Sequence, residues 1–459
     1  MFLVTVGHLL ISSAALTMVS PSSTSDAVRT PSASLRGALA HPLPAGMRDL
    51  LPEQAEVQHA LLAQVLESYS RYGYQRVTLP AFEYAEVLEQ GLGAIDPNSI
   101  VRFVEPETGE VVALRPDMTP QVARLVATRL ADAPSPQRLC YRGSVVRRRH
   151  ERARHDQQTL QVGIELVGDE RYQADLEVIL ATIEAVQASG LEKFVLDLGH
   201  GALAPSLLSG VEEETRSALI ESLSLKDKAE LAKRGKAAGV ESSVLAALLG
   251  LIDLQGGGEV FEQAAKLLNG FDAARYLEEL RTLHQALLEH GVKCDIVVDL
   301  AETKAVAYYT GPVFQILAEG PGQAVASGGR YDGLYGRFGA ERPACGAGIQ
   351  VDHLAWALGK ASEKKKVAVL VVSEDFGRAN SAAMELRSAG LTTAILNFSS
   401  QDRSSLLDYA RYWRYSHVVL EPSGGKTAAS DWELIEVSSE EEGKGRFSLD
   451  EVQQRLLPV

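Results

Sequence analysis

Leu139-Cys140-Tyr141-Arg142-Gly143-Ser144-Val145-Val146-Arg147, followed after a run of charge by Gln161-Val162-Gly163-Ile164-Glu165, is the stretch on which the fold turns. Leu139–Val146 and Thr159–Val167 read as two strands. Between them five arginines (Arg147, Arg148, Arg149, Arg152 and Arg154) fall within eight residues. A loop of this kind is either simply solvated or clamps a phosphate or carboxylate through bidentate guanidinium contacts. In the second strand Gln161, Gly163 and Glu165 share one face, because side chains alternate with a period of two. A glutamine and a glutamate directed together from a sheet interior need partners. An internal hydrogen-bond network or a polar ligand would supply them.

Outward from this hairpin, Glu53–Tyr72 shows a helical apolar face at Val57, Leu61, Leu62, Val65 and Leu66. Tyr74–Leu79 reads as a strand stopped by Pro80, Val111–Leu114 as a short strand, and Thr119–Leu130 as a helix capped by Asp117 or Thr119. Beyond the strand Phe194–Leu198, residues 202–290 turn helical, broken only at Gly239 and Gly256–Gly258, as an inserted helical module. Strands return at Ile296–Leu300, Tyr309–Leu317 and Ala324–Ser327, Ser327–Gly333 reads as a glycine-rich turn, and Asp352–Leu358 closes the region as a helix. After the charged linker Glu363–Lys366 the tail alternates strand and helix, the pattern of a small α/β domain. Its Gly425-Lys426-Thr427 lacks the earlier glycine of a phosphate-binding loop, since that position is Leu420, and reads as a surface turn.

The 459 residues correspond to two or three domains. With 46% hydrophobic and 23% charged residues the chain can bury a full core. A net charge of −15 argues against broad nucleic-acid binding. Cys140, Cys294 and Cys345 have neither zinc-ligand nor disulfide-framework spacing, which fits a reducing cytoplasm. No apolar run has the length of a membrane span. Residues 1–40 are Ser/Thr/Pro/Ala-rich and carry no Lys or Arg before Arg29, so a disordered leader is expected rather than a signal peptide. The expected division is a 1–40 leader, a 41–362 domain and a 366–459 domain.

Gly46-Met47-Arg48-Asp49-Leu50-Leu51-Pro52, Arg115-Pro116-Asp117-Met118-Thr119, Gln161–Glu165, the Tyr308-Tyr309 pair and Ser327–Gly333 resemble, in this order, the motifs of histidyl-tRNA synthetase over about residues 43–358. The resemblance implies an α+β fold of the class II aminoacyl-tRNA synthetase kind. That fold is an antiparallel sheet flanked by helices, here with the helical insertion and the small C-terminal α/β domain, and it is usually dimeric through the first motif around Tyr74–Glu83. It also implies that Asp117, Thr119, Gln161, Glu165, Tyr308, Tyr309 and Tyr331 surround histidine, with Arg147 and Lys304 available to its carboxylate.

The departures from the synthetase bear on activity. Lys304 stands where an arginine precedes the paired tyrosines by four residues, His353 where the closing helix carries an arginine for the γ-phosphate, and Arg149 where a glutamate meets adenine. Losing one donor to a charged transition state costs about 10²–10³ in rate, or ~3–4 kcal/mol. An ammonium does not reproduce a bidentate guanidinium. A histidine pocket without nucleotide chemistry resembles the regulatory subunit of ATP phosphoribosyltransferase, as does Thr310-Gly311 after the tyrosines. That resemblance implies a non-catalytic protein without cofactor or metal. It further implies a short-form catalytic subunit as partner, L-histidine as effector, and a homodimer within a hetero-oligomer acting in the first step of histidine biosynthesis. From Lys365 onward there are 14 acidic and 11 basic residues, Glu440-Glu441-Glu442 among them, so the tail reads as a remnant anticodon-binding domain and tRNA as an unexpected partner. An active, divergent histidyl-tRNA synthetase is the alternative.

Overall fold

Alternation along the hairpin strands sets up two cores on opposite faces of one sheet. Cys140, Val162, Ile164 and Leu166 enter the first core, while Leu139, Tyr141 and Val145 enter the second. The computed structural model describes residues 43–44, 46–92, 100–147, 158–302, 308–359, 368–397, 403–422, 431–438 and 445–457. Residues 1–40, Arg148–Arg154, Lys304, Gly425-Lys426-Thr427 and Glu440–Glu442 lie outside them. Two compact units, 1–359 and 360–459, divide the chain.

In the first unit the elements run α1 (Pro52–Arg71), β1 (Gln75–Arg76), β2 (Phe82–Tyr84), α2 (Ala85–Leu92), β3 (Arg102–Val104), β4 (Val111–Leu114) and α3 (Thr119–Arg129). The hairpin β5 (Gln137–Val146) and β6 (Gln158–Val167) follows, then α4 (Tyr172–Ala188) and β7 (Val195–His200). A helical module comprises α5 (Leu203–Leu207), α6 (Glu213–Ser224), α7 (Lys228–Ala237), α8 (Ser242–Leu251), β8 (Gln255–Gly256), α9 (Val260–Leu267) and α10 (Ala273–Glu289). It leads into β9 (Asp295–Asp299), β10 (Pro312–Leu317), β11 (Ala326–Arg330), β12 (Ala344–Gln350) and α11 (Val351–Ala357).

Nine strands form one sheet in the order β1-β5-β6-β12-β11-β10-β7-β9-β8. Its neighbours are antiparallel except β1 with β5 and β7 with β9. Helix α1 lays Leu61, Leu62, Val65, Leu66 and Tyr69 on one face, beside α4 and the helical module. The opposite face is covered by α2 and α3 and by the tyrosines Tyr308, Tyr331 and Tyr335. Strands β2, β4 and β3 make a separate small antiparallel sheet.

Three local expectations need correction. The strand expected over Tyr74–Leu79 pairs only at Gln75 and Arg76. Beyond it the carbonyls of Leu79 and Pro80 accept from the Arg115 guanidinium, at 3.0 and 2.6 Å, instead of a ladder. Met118, rather than Asp117 or Thr119, is the N-cap of α3, because both flanking side chains are engaged elsewhere. The Gly328-Gly329 pair lies inside β11 and not in a turn. A Cβ on Gly328 would sit 2.3 Å from the Gly346 carbonyl, and one on Gly329 2.6 Å from that of Pro312, so only glycine fits.

The second unit holds β13 (Ala368–Val372), α12 (Phe376–Ser388), β14 (Thr392–Leu396), α13 (Arg403–Tyr412), β15 (His417–Leu420), β16 (Trp432–Glu436), β17 (Arg446–Phe447) and α14 (Leu449–Leu456). Its sheet runs β14-β13-β15-β16-β17, parallel through the first three strands and antiparallel thereafter. Small α12 residues, Ala379, Ala382 and Ala383, pack on one face and Leu406 and Ala410 of α13 on the other. Among the described residues no helix is long and apolar enough to cross a membrane.

Candidate functional site

Glu165 is fully buried at the centre of the hairpin face, in a cluster of hydroxyls. Thr119 donates to its Oε1 at 2.9 Å and Tyr141 to the same oxygen at 3.1 Å, while the Tyr331 hydroxyl donates to Oε2. Thr119 arrives from the first turn of α3, Tyr141 from β5 and Tyr331 from the residue after β11. Glycines make room for them. A Cβ on Gly163 would come within 2.4 Å of the Tyr141 ring, and one on Gly346 within 2.2 Å of the Tyr331 hydroxyl and 2.4 Å of Glu165. Burial pushes the Glu165 carboxyl well above the usual carboxylate range; the Thr119 and Tyr141 hydroxyls oppose that rise and the charge of Asp117 adds to it.

Asp117 lies alongside, accepting from the Met118 N–H at 2.7 Å and from the Tyr308 hydroxyl at 2.9 Å. Rings of Tyr308, Tyr309 and Tyr331 form a wall with centroids 5.0, 5.4 and 6.0 Å apart. Burial, reinforced by Asp117, raises the phenols of Tyr308 and Tyr309, so both are neutral donors at physiological pH. A carboxylate offers about four acceptor positions. Glu165 uses three and Asp117 two for protein donors, which leaves each able to accept from a ligand N–H. Gln161 lies over β12, where a Cβ on Gly348 would come within 2.5 Å of its amide nitrogen. Among the described residues its amide oxygen is buried without a hydrogen-bond partner.

Thus Asp117, Thr119, Glu165, Tyr308, Tyr309 and Tyr331 are brought together. Arg147 is half-buried and donates through Nε to the Pro116 carbonyl at 2.6 Å; its charge lowers the Tyr309 phenol, placing the two within electrostatic reach. Two tyrosines were not assigned from sequence. Tyr141 lies two residues before Gly143 on the Glu165 face, a position that the period-two alternation could have flagged. Tyr335 has a buried hydroxyl that, among the described residues, has no hydrogen-bond partner, and it feels the charge of Glu165, but no motif marks it.

His353 takes another role. Its Nδ1 donates to the Ala324 carbonyl at 2.8 Å, which commits the ring to the backbone beside β11. Its neighbour Asp352 accepts from Arg48 at 2.6 Å, from Gln58 at 3.1 Å and from the Leu160 N–H at 2.7 Å, tying the Gly46–Pro52 stretch to α11 and β6.

A buried carboxylate ringed by hydroxyls over a glycine-lined antiparallel sheet, with the family pattern described as histidyl-tRNA synthetase matching residues 46–354, defines a histidyl-tRNA synthetase-like class II domain. The solved histidyl-tRNA synthetase of Nostoc sp. PCC 7120 shares the fold at TM-score 0.71 and 23% identity, over 90% of this chain and 99% of that one. A solved Bacillus halodurans protein, described as an ATP phosphoribosyltransferase regulatory subunit/histidyl-tRNA synthetase, superposes at TM-score 0.72 with 28% identity, over 83% of this chain and 98% of that one. The ATP phosphoribosyltransferase regulatory subunit of Syntrophotalea carbinolica is 35% identical over 387 residues, 82% of this chain and 90% of its own length. That of Geobacter sulfurreducens is 31% identical over 427 residues, 89% and 96% respectively. The chain belongs to the family of ATP phosphoribosyltransferase regulatory subunits.

Proposed function

We propose that this chain is the non-catalytic partner of a short-form ATP phosphoribosyltransferase catalytic subunit. In that role it supports the first step of histidine biosynthesis and conveys feedback inhibition by histidine. The observation that carries the reading is membership of the regulatory-subunit family over nearly the whole chain, combined with the Glu165 cluster. Histidine suits that cluster: Asp117 and Gln161 accept from its α-ammonium, Glu165 accepts from an imidazole N–H, and Arg147 is available to its carboxylate, a role the family resemblance also gives to Lys304. Nucleotide chemistry lacks support. The His353 ring is held by a backbone carbonyl and Lys304 replaces a guanidinium, so two donors to the adenylation transition state are missing.

The phosphoribosyl transfer belongs to the partner. Histidine then acts by binding one assembly state more tightly than another, with a coupling of about 1–3 kcal/mol. In the same reading the chain forms a homodimer within a cytoplasmic hetero-oligomer, residues 366–459 are a remnant anticodon-binding domain that packs or meets the partner, and residues 1–40 are dispensable. Histidine-dependent ATP–pyrophosphate exchange by the purified chain tests the loss of chemistry. No exchange is expected, and exchange at the rate of an active synthetase would favour a divergent histidyl-tRNA synthetase instead.

A further inference from the structure

Strand β7 ends where the helical module approaches the tyrosine wall. Leu196 and Leu198 enter the core on one face of the sheet, so by alternation His200 faces that core, and Gly201 beyond it meets Tyr309. A Cβ on Gly201 would lie 3.0 Å from both the Cβ and the carbonyl oxygen of Tyr309. The Gly201 N–H donates to the Gly311 carbonyl at 2.9 Å. Gly329 seats the ring of the same tyrosine, since a Cβ there would come within 2.9 Å of it. Tyr309 is thus held along its main chain by the 200–202 turn and at its ring by β11.

The buried His200 ring fixes that turn. Its Nδ1 accepts from the Ala202 N–H at 3.2 Å, which settles the tautomer: the proton sits on Nε2 and faces the Glu279 carboxylate, 3.2 Å away on α10. A second proton, on Nδ1, would set two N–H groups against each other and leave Ala202 without its acceptor, so the turn would open. Around the ring, α10 presents Glu279 and Tyr276, whose ring centroid is 4.9 Å away, with Arg275 stacked on Tyr276. Strand β10 places Pro312 opposite His200, and α5 carries no titratable side chain. Arg330 of β11 reaches Glu279 electrostatically but is committed to Asp175 of α4 and to Asp332. Glu279 favours the charged ring and burial opposes it more strongly, so the second proton arrives below the ordinary imidazole value of about 6.5.

We infer that His200 is a positioning residue for the histidine pocket: as a neutral ring it folds the turn that seats Tyr309, and on protonation it releases that tyrosine from the wall beside Glu165. The inference rests on the reading of the Glu165 cluster as a histidine site. It makes effector binding sensitive to pH through a residue on the opposite face of the sheet, and it ties the wall to the helical module, because α10 supplies the ring's other partner.

The test is ¹⁹F NMR of the full-length chain labelled with 3-fluorotyrosine, the Tyr309 resonance being assigned by its loss in Tyr309→Phe, together with calorimetric titration of L-histidine, both at pH 7.5 and 5.5. His200→Asn keeps an acceptor for the Ala202 N–H at either pH. Its Tyr309 resonance should move less than that of wild type, and wild type should lose about fivefold or more affinity beyond what the variant loses, the low end of an ordinary coupling. Titration of the ligand's imidazole, of Glu165 and of Asp117 is common to both proteins and cancels in the comparison. Glu279→Gln, a change at a side chain 54% exposed, should shift the wild-type transition to lower pH by removing the charge that favours protonation. Equal pH courses of the Tyr309 resonance in wild type and His200→Asn, or an unmoved transition in Glu279→Gln, would overturn the inference. Absence of histidine binding to any of the three at pH 7.5 would instead strike the pocket reading, and the Tyr309 resonance would still decide whether His200 positions that residue.

Discussion

Replacing Glu165 with glutamine separates what this side chain does for the fold from what it does for a ligand. Its carboxyl accepts from Thr119, Tyr141 and Tyr331, and the isosteric amide keeps the volume that Gly346 and Gly163 leave open. A hydrogen bond of a carboxyl that burial keeps largely neutral is worth about 0.5–1.5 kcal/mol. Loss of one to the imidazole therefore weakens histidine by about 2- to 13-fold. Stability should move the other way. Burial raises the folded-state carboxyl pKa above its unfolded value of about 4.3. The stability Glu165 contributes is thus complete below that unfolded value and lost as pH rises through the folded one. Glu165→Gln, which carries no charge to bury, should melt at or above the wild-type temperature at pH 8 and lose this advantage toward pH 5. Titration calorimetry with L-histidine and thermal unfolding at both pH values measure the two effects. A well-folded Gln variant that binds histidine as tightly as wild type would refute a Glu165-centred pocket.

Other expectations concern the frame. Arg330 donates from Nε to both carboxylate oxygens of Asp175 at 3.0 Å, both residues being buried; Asp175→Asn should cost about 3–5 kcal/mol in urea unfolding, and Asp175→Leu with Arg330→Met should recover much of it. Gly346→Ala puts a methyl against Tyr331, Glu165 and the Ile164 carbonyl, so a loss of about 1–3 kcal/mol and weaker histidine binding are expected, and wild-type behaviour would show that this contact yields freely. His200 is buried, its Nε2 3.2 Å from Glu279 and its Nδ1 accepting from the Ala202 N–H, and burial lowers its pKa against the pull of Glu279. Its stabilisation is complete above the unfolded value of about 6.5 and lost as pH falls from there through the folded value. Urea midpoints between pH 7.5 and 5.5 should fall less steeply in His200→Asn.

Periodicity made much of this architecture legible. Alternation in β5 and β6 and the apolar stripe of α1 follow directly from side-chain spacing, and so did the placing of Gln161 and Glu165 on one face. β12 was missed. Its Ala344-Cys345-Gly346-Ala347-Gly348-Ile349-Gln350 lacks the β-branched and aromatic residues that mark strands. Its glycines answer instead to Glu165, Tyr331 and Gln161, residues distant in sequence, and the Gly328-Gly329 pair was misread as a turn for the same reason. The contact of Gly201 with Tyr309 was equally hidden, because it exists only once β7 and β10 pair. Family likeness suggested the ligand-binding roles proposed for Asp117 and the paired tyrosines, which spacing alone could not assign.

The most direct measurement of the regulatory role is the phosphoribosyl-transfer rate of a short-form catalytic subunit, assayed alone, with this chain, and with this chain plus L-histidine. The account predicts co-purification of the two proteins, a higher rate in the pair and suppression of that gain by histidine. A rate that the chain leaves unchanged, with no complex on sizing, would contradict it.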